Sequence, residues 1–222
     1  MSQLRNIMFQ HNGGDIPSQY ILADCIQIPT TAYINTGIAA IPRYTRSLFT
    51  VKWQGSSTGT RGLFGVRGAA AADYRSYCVF LTVSASGPRW DNCGGSSYSS
   101  NWSTGEEHTV ELTHSGNYGQ TIVDGNVVAT GETSMGTSTY SSIYLNTIYT
   151  VATGSTNTGG TVRWKPVKIW QDGTNLSGDM VPVFDRVSEA GGMYDKFRHL
   201  FLPGEGSGLI NAYDAEGNLI TG

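Results

Sequence analysis

Charge is scarce in this sequence. Lysine and arginine together number 14 and aspartate and glutamate 17 in 222 residues, for a formal net charge of -3. Binding to a nucleic-acid backbone needs clustered Lys and Arg, so this balance excludes a nucleic-acid partner. Cysteine is nearly absent. Cys25, Cys78 and Cys93 are an odd set that leaves at least one thiol unpaired, which argues against a disulfide framework and for free thiols made in a reducing cytoplasm. Long apolar runs are missing as well. No stretch of about 18 apolar residues occurs, which excludes membrane insertion by a helix. The opening MSQLRNIMFQHNGGD has neither an apolar core nor a small-residue cleavage site. It does not read as a signal peptide, and work outside a cell would require release by lysis or a dedicated export machine.

Helical periodicity is almost absent too, and what remains is a β pattern. Apolar residues make up 39% of the chain and aromatics 11%, enough for a core. Short runs rich in Val, Ile, Thr, Tyr and Phe recur between Gly, Ser and Asn clusters, the pattern of an antiparallel sandwich or barrel. Strands are expected at residues 25–28, 33–35, 47–53, 61–66, 77–83, 107–113, 119–123 and 126–130. Further ones are expected at 142–150, 162–170, 179–185, 192–195 and 198–202. In VDGNVV, Asp124 and Gly125 predict a two-residue hairpin with a type I′ turn. Asp172 and Gly173 mark a second turn. The Gly- and Ser-rich stretches 94–105 and 153–160 read as surface loops. Pro182 cannot donate to a ladder, so the strand at 179–185 is expected at an edge or with a bulge. A chain of this length fits one domain, and we divide it into an N-terminal arm, 1–20, and a sandwich, 21–222.

Three blocks carry a resemblance. They are IPTTAYINTGI from Ile28, EEHTVELTHSGNYGQTIVDGNVV from Glu106, and VRWKPVKIWQDG from Val162 followed by DMVPVFD and GGMYD. In this order, and across roughly Ala23 to Leu202, the chain resembles the laminin-G-like, concanavalin A-like jelly-roll family. The branch it is most similar to is the one common in bacteriophage and gut-bacterial proteins. The resemblance implies an all-β, two-sheet antiparallel β-sandwich (jelly roll), here with an N-terminal extension. It also implies a role in binding glycans or proteins, with glycan cleavage in some branches only. Fold alone does not decide among these.

The glucanase branch uses E-x-D-x-E, and the nearest match is Glu107, Thr109 and Glu111, which alternate onto one strand face but lack the central carboxylate. No catalytic residue is assigned. GSSTG at 55–59 matches G-x-S-x-G, yet no helix follows it. His11, His108, His114 and His199 lack zinc spacing, and His108 reads as a surface or rim residue. No cofactor is expected. The resemblance admits calcium, with Asp91, Asp124 and Asp172 as candidate oxygens, though none lies in a D-x-[DN]-x-[DN]-G loop.

Glycan binding has a better local candidate. Trp90, Asp91, Asn92, Tyr98, Asn101 and Trp102 join aromatic faces for sugar C–H groups to amides and carboxylates for hydroxyls. The competing reading is that Trp90 and Trp102 cap the ends of the sandwich. The termini suggest assembly: Leu4, Ile7, Met8 and Phe9 give the arm an apolar edge, and residues 210–222 extend past the resemblance. The expected function is therefore a non-enzymatic structural or surface protein of a bacteriophage virion, in capsid decoration or the tail. Its partners would be other virion proteins or further copies of itself. The alternative is a carbohydrate-binding adhesin recognising host glycans, and a glycoside hydrolase ranks third.

Overall fold

Alternation of side chains decides which side of each strand stays dry. In AYINTGIA, Ala32, Ile34, Thr36 and Ile38 are buried while Tyr33, Asn35, Gly37 and Ala39 face out. A computed structural model describes residues 15–41, 43–54, 60–67, 77–82, 89–92, 95–98, 105–116, 118–132, 141–150 and 155–222. Among them are twenty strands and no helix. The first ten are β1 (Tyr20–Leu22), β2 (Cys25–Ile28), β3 (Ala32–Ala39), β4 (Arg46–Trp53), β5 (Thr60–Arg67), β6 (Tyr77–Thr82), β7 (Arg89–Asn92), β8 (Gly95–Tyr98), β9 (Glu107–Ser115) and β10 (Tyr118–Val123). The rest are β11 (Asn126–Glu132), β12 (Ser142–Leu145), β13 (Thr147–Thr150), β14 (Ser155–Thr158), β15 (Val162–Trp170), β16 (Gly178–Asp185), β17 (Ala190–Asp195), β18 (Leu200–Leu202), β19 (Glu205–Gly206) and β20 (Asn211–Tyr213).

They form two sheets, so the protein is an all-β antiparallel sandwich. The larger sheet runs β11-β10-β9-β4-β15-β16-β17-β18, with β1 beside β16 and β2 and β20 branching from β15. The smaller runs β19-β3-β12-β5-β6-β7-β8, with β13 and β14 attached through β5. Pairing is antiparallel except between β13 and β5. An aromatic nucleus joins the sheets. Phe49 of β4 stacks on Phe64 of β5 at 4.5 Å, and Trp164 of β15 lies 5.5 Å from Phe49. Tyr77 of β6 reaches across to donate its hydroxyl to Ser47 Oγ at 2.7 Å. All four large side chains are fully buried.

The hairpin at Asp124 and Gly125 is as expected: both residues have positive φ, 50° and 82°, and Val123 pairs with Asn126. Four expectations change. The strand expected at 142–150 is two strands, because Asn146 turns the chain with φ 61°. Asparagine tolerates this left-handed conformation, and the buried side chain donates to Pro29 O at 2.9 Å and Ala32 O at 3.0 Å. Residues 94–105 and 153–160 are not wholly loop, since β8 and β14 fall inside them; a backbone ladder needs no apolar side chains. The strand expected at 198–202 begins only at Leu200, after a turn in which His199 has φ 54°.

The fourth change concerns Pro182. β16 is an interior strand, flanked by β17 on one side and by β15 and β1 on the other. The β15 pairing ends at Met180 and the β1 pairing begins at Val183, so Pro182 occupies the gap between partners. Its carbonyl there accepts from Ala23 N at 3.0 Å, and the missing N–H leaves no broken bond. Both faces of β16 are buried. Met180 and Phe184 enter the main core, while Val181 and Val183 form a second cluster with Tyr194, Ile16, Tyr20 and Phe201. The C-terminal segment is also part of the sandwich: β20 pairs with β2, and Ile210 and Ala212 are buried. Cys25 and Cys78 are buried free thiols, and Cys93 lies outside the described residues.

A polar latch ties the β17–β18 turn to the smaller sheet. Asp195, fully buried, accepts from Asp179 N, Phe197 N and Arg198 N and pairs with Arg198 Nε at 2.6 Å. Arg198 in turn donates to Thr36 O at 2.6 Å. Asp195→Ala, which strands Arg198 and three amides, is expected to lower the unfolding free energy by about 3–5 kcal/mol in urea titration. His114 supplies a second test. It packs against Tyr77, and its Nδ1 is 2.9 Å from Thr45 O, so Nδ1 carries the proton it donates. Burial pulls its pKa from 6.5 to about 4, outweighing the opposing effect of the Thr45 carbonyl. The unfolded chain therefore binds a proton first as pH falls. The stabilisation from neutral His114 is complete above pH 6.5 and is lost as pH falls towards 4, by up to about 3 kcal/mol. His114→Gln should flatten that part of the stability–pH curve relative to the parent protein.

Candidate glycan-binding surfaces

The glucanase-like triplet lies on the outer face of β9, as its alternation predicts. Glu107 is exposed, Thr109 and Glu111 are partly buried, and Val110 and Leu112 point into the core. Each carboxylate is already held by a cation. Glu107 pairs with Lys165 Nζ at 2.8 Å, and Lys165 also reaches Asp24 at 3.4 Å. Burial works against the Lys165 charge, but the hydrogen bond and charge of Glu107, with Asp24, hold its pKa above the usual lysine value. Glu111 pairs with Arg46 Nε at 2.7 Å, and that guanidinium lies 4.4 Å over the Trp170 ring. Between them Thr109 Oγ1 bonds Thr50 Oγ1 at 3.1 Å.

His108 is not a surface residue. It shares the inner face with Val110, is 7% exposed, and its Nδ1 lies 2.8 Å from Asp124 Oδ2. Asp124 and Asp172 belong to different hairpins, towards opposite ends of β4. Asp124 N donates to Thr109 O, and Thr109 pairs with Thr50, whereas Asp172 follows Trp170, which pairs with Arg46. Asp172 accepts from Thr174 N, Asn175 N and Asn175 Nδ2, which is a turn closure. Among the described residues no group of three or more His, Cys, Asp or Glu is placed to hold a metal.

The aromatic patch proposed from sequence is only partly described. Trp90, Asp91 and Asn92 are on β7 and Tyr98 is on β8, at the end of the smaller sheet. Register pairs Trp90 with Val79 and Asp91 with Cys78. Asn101, Trp102, the GSSTG segment, and Leu4, Ile7, Met8 and Phe9 lie outside the described residues, as does His11.

An aromatic surface that the sequence did not reveal lies elsewhere on the smaller sheet. Tyr33 of β3, Tyr144 of β12 and Tyr149 of β13 are all partly exposed and form one row. Tyr33 and Tyr144 rings are 5.8 Å apart, and Tyr144 and Tyr149 stack at 5.4 Å with planes 20° apart. Asn35, two residues along β3 on the same face as Tyr33, donates its amide to Tyr144 Oη at 3.3 Å. Glu205 of β19 is the cross-strand partner of Tyr33. Burial raises the Tyr144 pKa, and the nearby Glu205 charge adds to that effect. The Tyr144 phenol therefore stays neutral as a hydrogen-bonding group. Rings, an amide and a carboxylate thus share one face, as sugar C–H faces and hydroxyls require. The reversal at Asn146 is what brings Tyr149 beside Tyr144. In sequence only the Y-x-N of residues 33–35 hints at it.

No protein-family model matches the chain, and no curated protein matches it. Solved structures do. A Bacteroides ovatus protein proposed to bind carbohydrate is 12% identical, with a TM-score of 0.56 over 88% of this chain and 61% of that one. Trypanosoma rangeli sialidase is 16% identical, with a TM-score of 0.48 over 70% of this chain and 27% of that one. A mutant of that sialidase displaying trans-sialidase activity is 18% identical, with a TM-score of 0.48 over 70% and 28%. The chain spans less than two thirds of the length of each. At 12% identity the likeness to the Bacteroides ovatus protein is one of fold, the β-sandwich described above.

Proposed function

We propose that this protein is a non-enzymatic glycan-binding β-sandwich whose binding surface is the row Tyr33, Tyr144 and Tyr149 with Asn35 and Glu205. The row itself is the observation that carries the reading. Aromatic faces stack on the C–H side of a pyranose, while the amide and carboxylate take its hydroxyls. The Bacteroides ovatus protein supports the reading as a solved protein of the same fold proposed to bind carbohydrate. A binding role without cleavage is favoured because Glu107 and Glu111 are each neutralised by a cation and have a threonine between them. A retaining or inverting pair needs one carboxyl free to protonate the leaving group.

The setting we propose is the surface of a bacteriophage particle, where such a module would meet host glycans. It rests on the resemblance carried by the blocks at Ile28, Glu106 and Val162. Joining the particle would fall to the N-terminal arm, residues 1–20, so a chain lacking residues 1–14 is expected to stay folded yet fail to join its particle or oligomer. Normal incorporation of the shortened chain would remove the arm from the proposal.

On a glycan array, the intact protein is expected to retain a defined subset of saccharides. Tyr144→Ala should weaken their binding at least about tenfold, in line with about 1–2 kcal/mol for a stacked ring. Its unfolding midpoint should stay close to that of the parent. Unchanged binding by Tyr144→Ala and Tyr149→Ala together would rule out this surface. Hydrolysis of any retained glycan that is abolished in Glu107→Gln would overturn the non-enzymatic reading.

A further inference from the structure

We infer that a cleft on the outer face of the larger sheet seats the carboxylate of an acidic saccharide between Arg163 and Lys52. This shares only the ligand class with the tyrosine row, which lies on the other sheet. The cleft has a volume of about 330 Å³ and is roofed by the turn Asp214 to Gly217. That size is at the lower end of small-ligand sites, which span roughly 300–1,000 Å³.

The floor is a cross-strand row. Gln27 of β2 pairs with Arg163 of β15, Arg163 with Lys52 of β4, and Lys52 with Glu107 of β9. Two cations are thus placed directly opposite each other, an unfavourable arrangement unless something negative lies between them. Among the described residues neither forms an ion pair. Glu107, the neighbour that could neutralise Lys52, turns instead to Lys165 at 2.8 Å.

The geometry selects among anions. Arg163 Nε donates to Gln27 Oε1 at 3.3 Å, and its guanidinium lies 4.3 Å over the Tyr213 ring. The group is thereby held in a fixed plane with its terminal nitrogens unengaged among the described residues, which suits the two oxygens of a planar carboxylate. Asp24, Glu107, Asp214 and Glu216 also line the cleft, against the three cations Lys52, Arg163 and Lys165. That acid excess opposes a dianion such as sulfate. A single negative charge seated at Arg163 and Lys52 is opposed less, and a ligand whose other groups are hydroxyls suits the remaining lining, because carboxylates such as Glu216 can accept from them. Asp214 is engaged by Asn218 N at 2.7 Å and Asn218 Nδ2 at 3.0 Å, which keeps the roof in place.

The test is a titration of the full chain, followed by NMR at low salt. The ligands are methyl β-D-glucuronide, methyl β-D-glucoside and inorganic sulfate. The first two differ only in the carboxylate. The glucuronide should bind about tenfold more tightly than the glucoside, as a charge-assisted pair implies. Shifts should centre on Arg163 Nε and residues 214–217, and added salt should weaken binding. Arg163→Gln and Lys52→Gln should each erase the preference, and Tyr144→Ala should leave it intact. Equal affinities for the two glycosides would overturn the inference while leaving the tyrosine row standing. So would sulfate binding as tightly as the glucuronide, or no binding of either glycoside. Loss of array binding in Tyr144→Ala with the glucuronide preference retained would separate the two surfaces.

Discussion

The contact between Phe49 and Phe64, with Trp164 against them, is the constraint from which the rest of the sandwich follows. A sheet face becomes dry only when a second sheet covers it, and these three rings span the gap between β4, β15 and β5. Once they are fixed inward, alternation together with the register shift between Trp164 and Val167 sets the inward and outward residues of β4 and β15. Val51, Val162 and Val167 follow them into the core, and Lys52, Arg163, Lys165 and Lys168 are left outside. A one-residue slip of β15 would turn its inward and outward sets over and bury its three cations, Arg163, Lys165 and Lys168. The cost of an unpaired buried charge makes that register inaccessible.

Polar groups do a different job, closing the parts that apolar packing leaves undefined. Asp195 and Arg198 join the turn after β17 to the carbonyl of Thr36 on the opposite sheet. Asn146 joins the reversal between β12 and β13 to the turn before β3. Gly159 is needed beside it, since a Cβ there would stand 2.4 Å from Asn146 O. These buried hydrogen bonds set the relative positions of β3, β12 and β13. The same three strands present Tyr33, Tyr144 and Tyr149, so the geometry of the exposed row is inherited from a buried asparagine.

What was legible in the sequence was whatever is local. The β class, the shared outer face of Glu107, Thr109 and Glu111 on β9 and the turn at Asp124 all follow from period-two alternation and from residues that tolerate positive φ. Met180 and Phe184 facing one way, and Val181 and Val183 the other, could be read from DMVPVFD alone. Pro182 misled because a proline forbids one hydrogen bond rather than one position in a sheet. Whether that bond is needed depends on where β15 ends and β1 begins. β8 and β14 escaped because Gly, Ser and Thr carry no apolar signal when the ladder is backbone only. The tyrosine row escaped for a topological reason: Asn35 and Tyr144 are 109 positions apart and meet only through the β3–β12 pairing.

The two outer faces also differ in the physics available to them. Stacking on tyrosine is an apolar interaction of neutral groups, because burial and Glu205 both keep the Tyr144 phenol protonated. It responds weakly to ionic strength. Attraction to Arg163 and Lys52 is electrostatic at a partly exposed site, where screening acts over about 8–10 Å at physiological salt. Because the faces belong to different sheets on opposite sides of one core, a single sugar ring cannot occupy both. A polymer carrying neutral and acidic residues could engage one face of one copy and the other face of a second. On the two proposed readings, the fold would convert two weak surfaces into a cross-linking arrangement, with avidity set by the spacing of acidic residues along the glycan rather than by either surface alone.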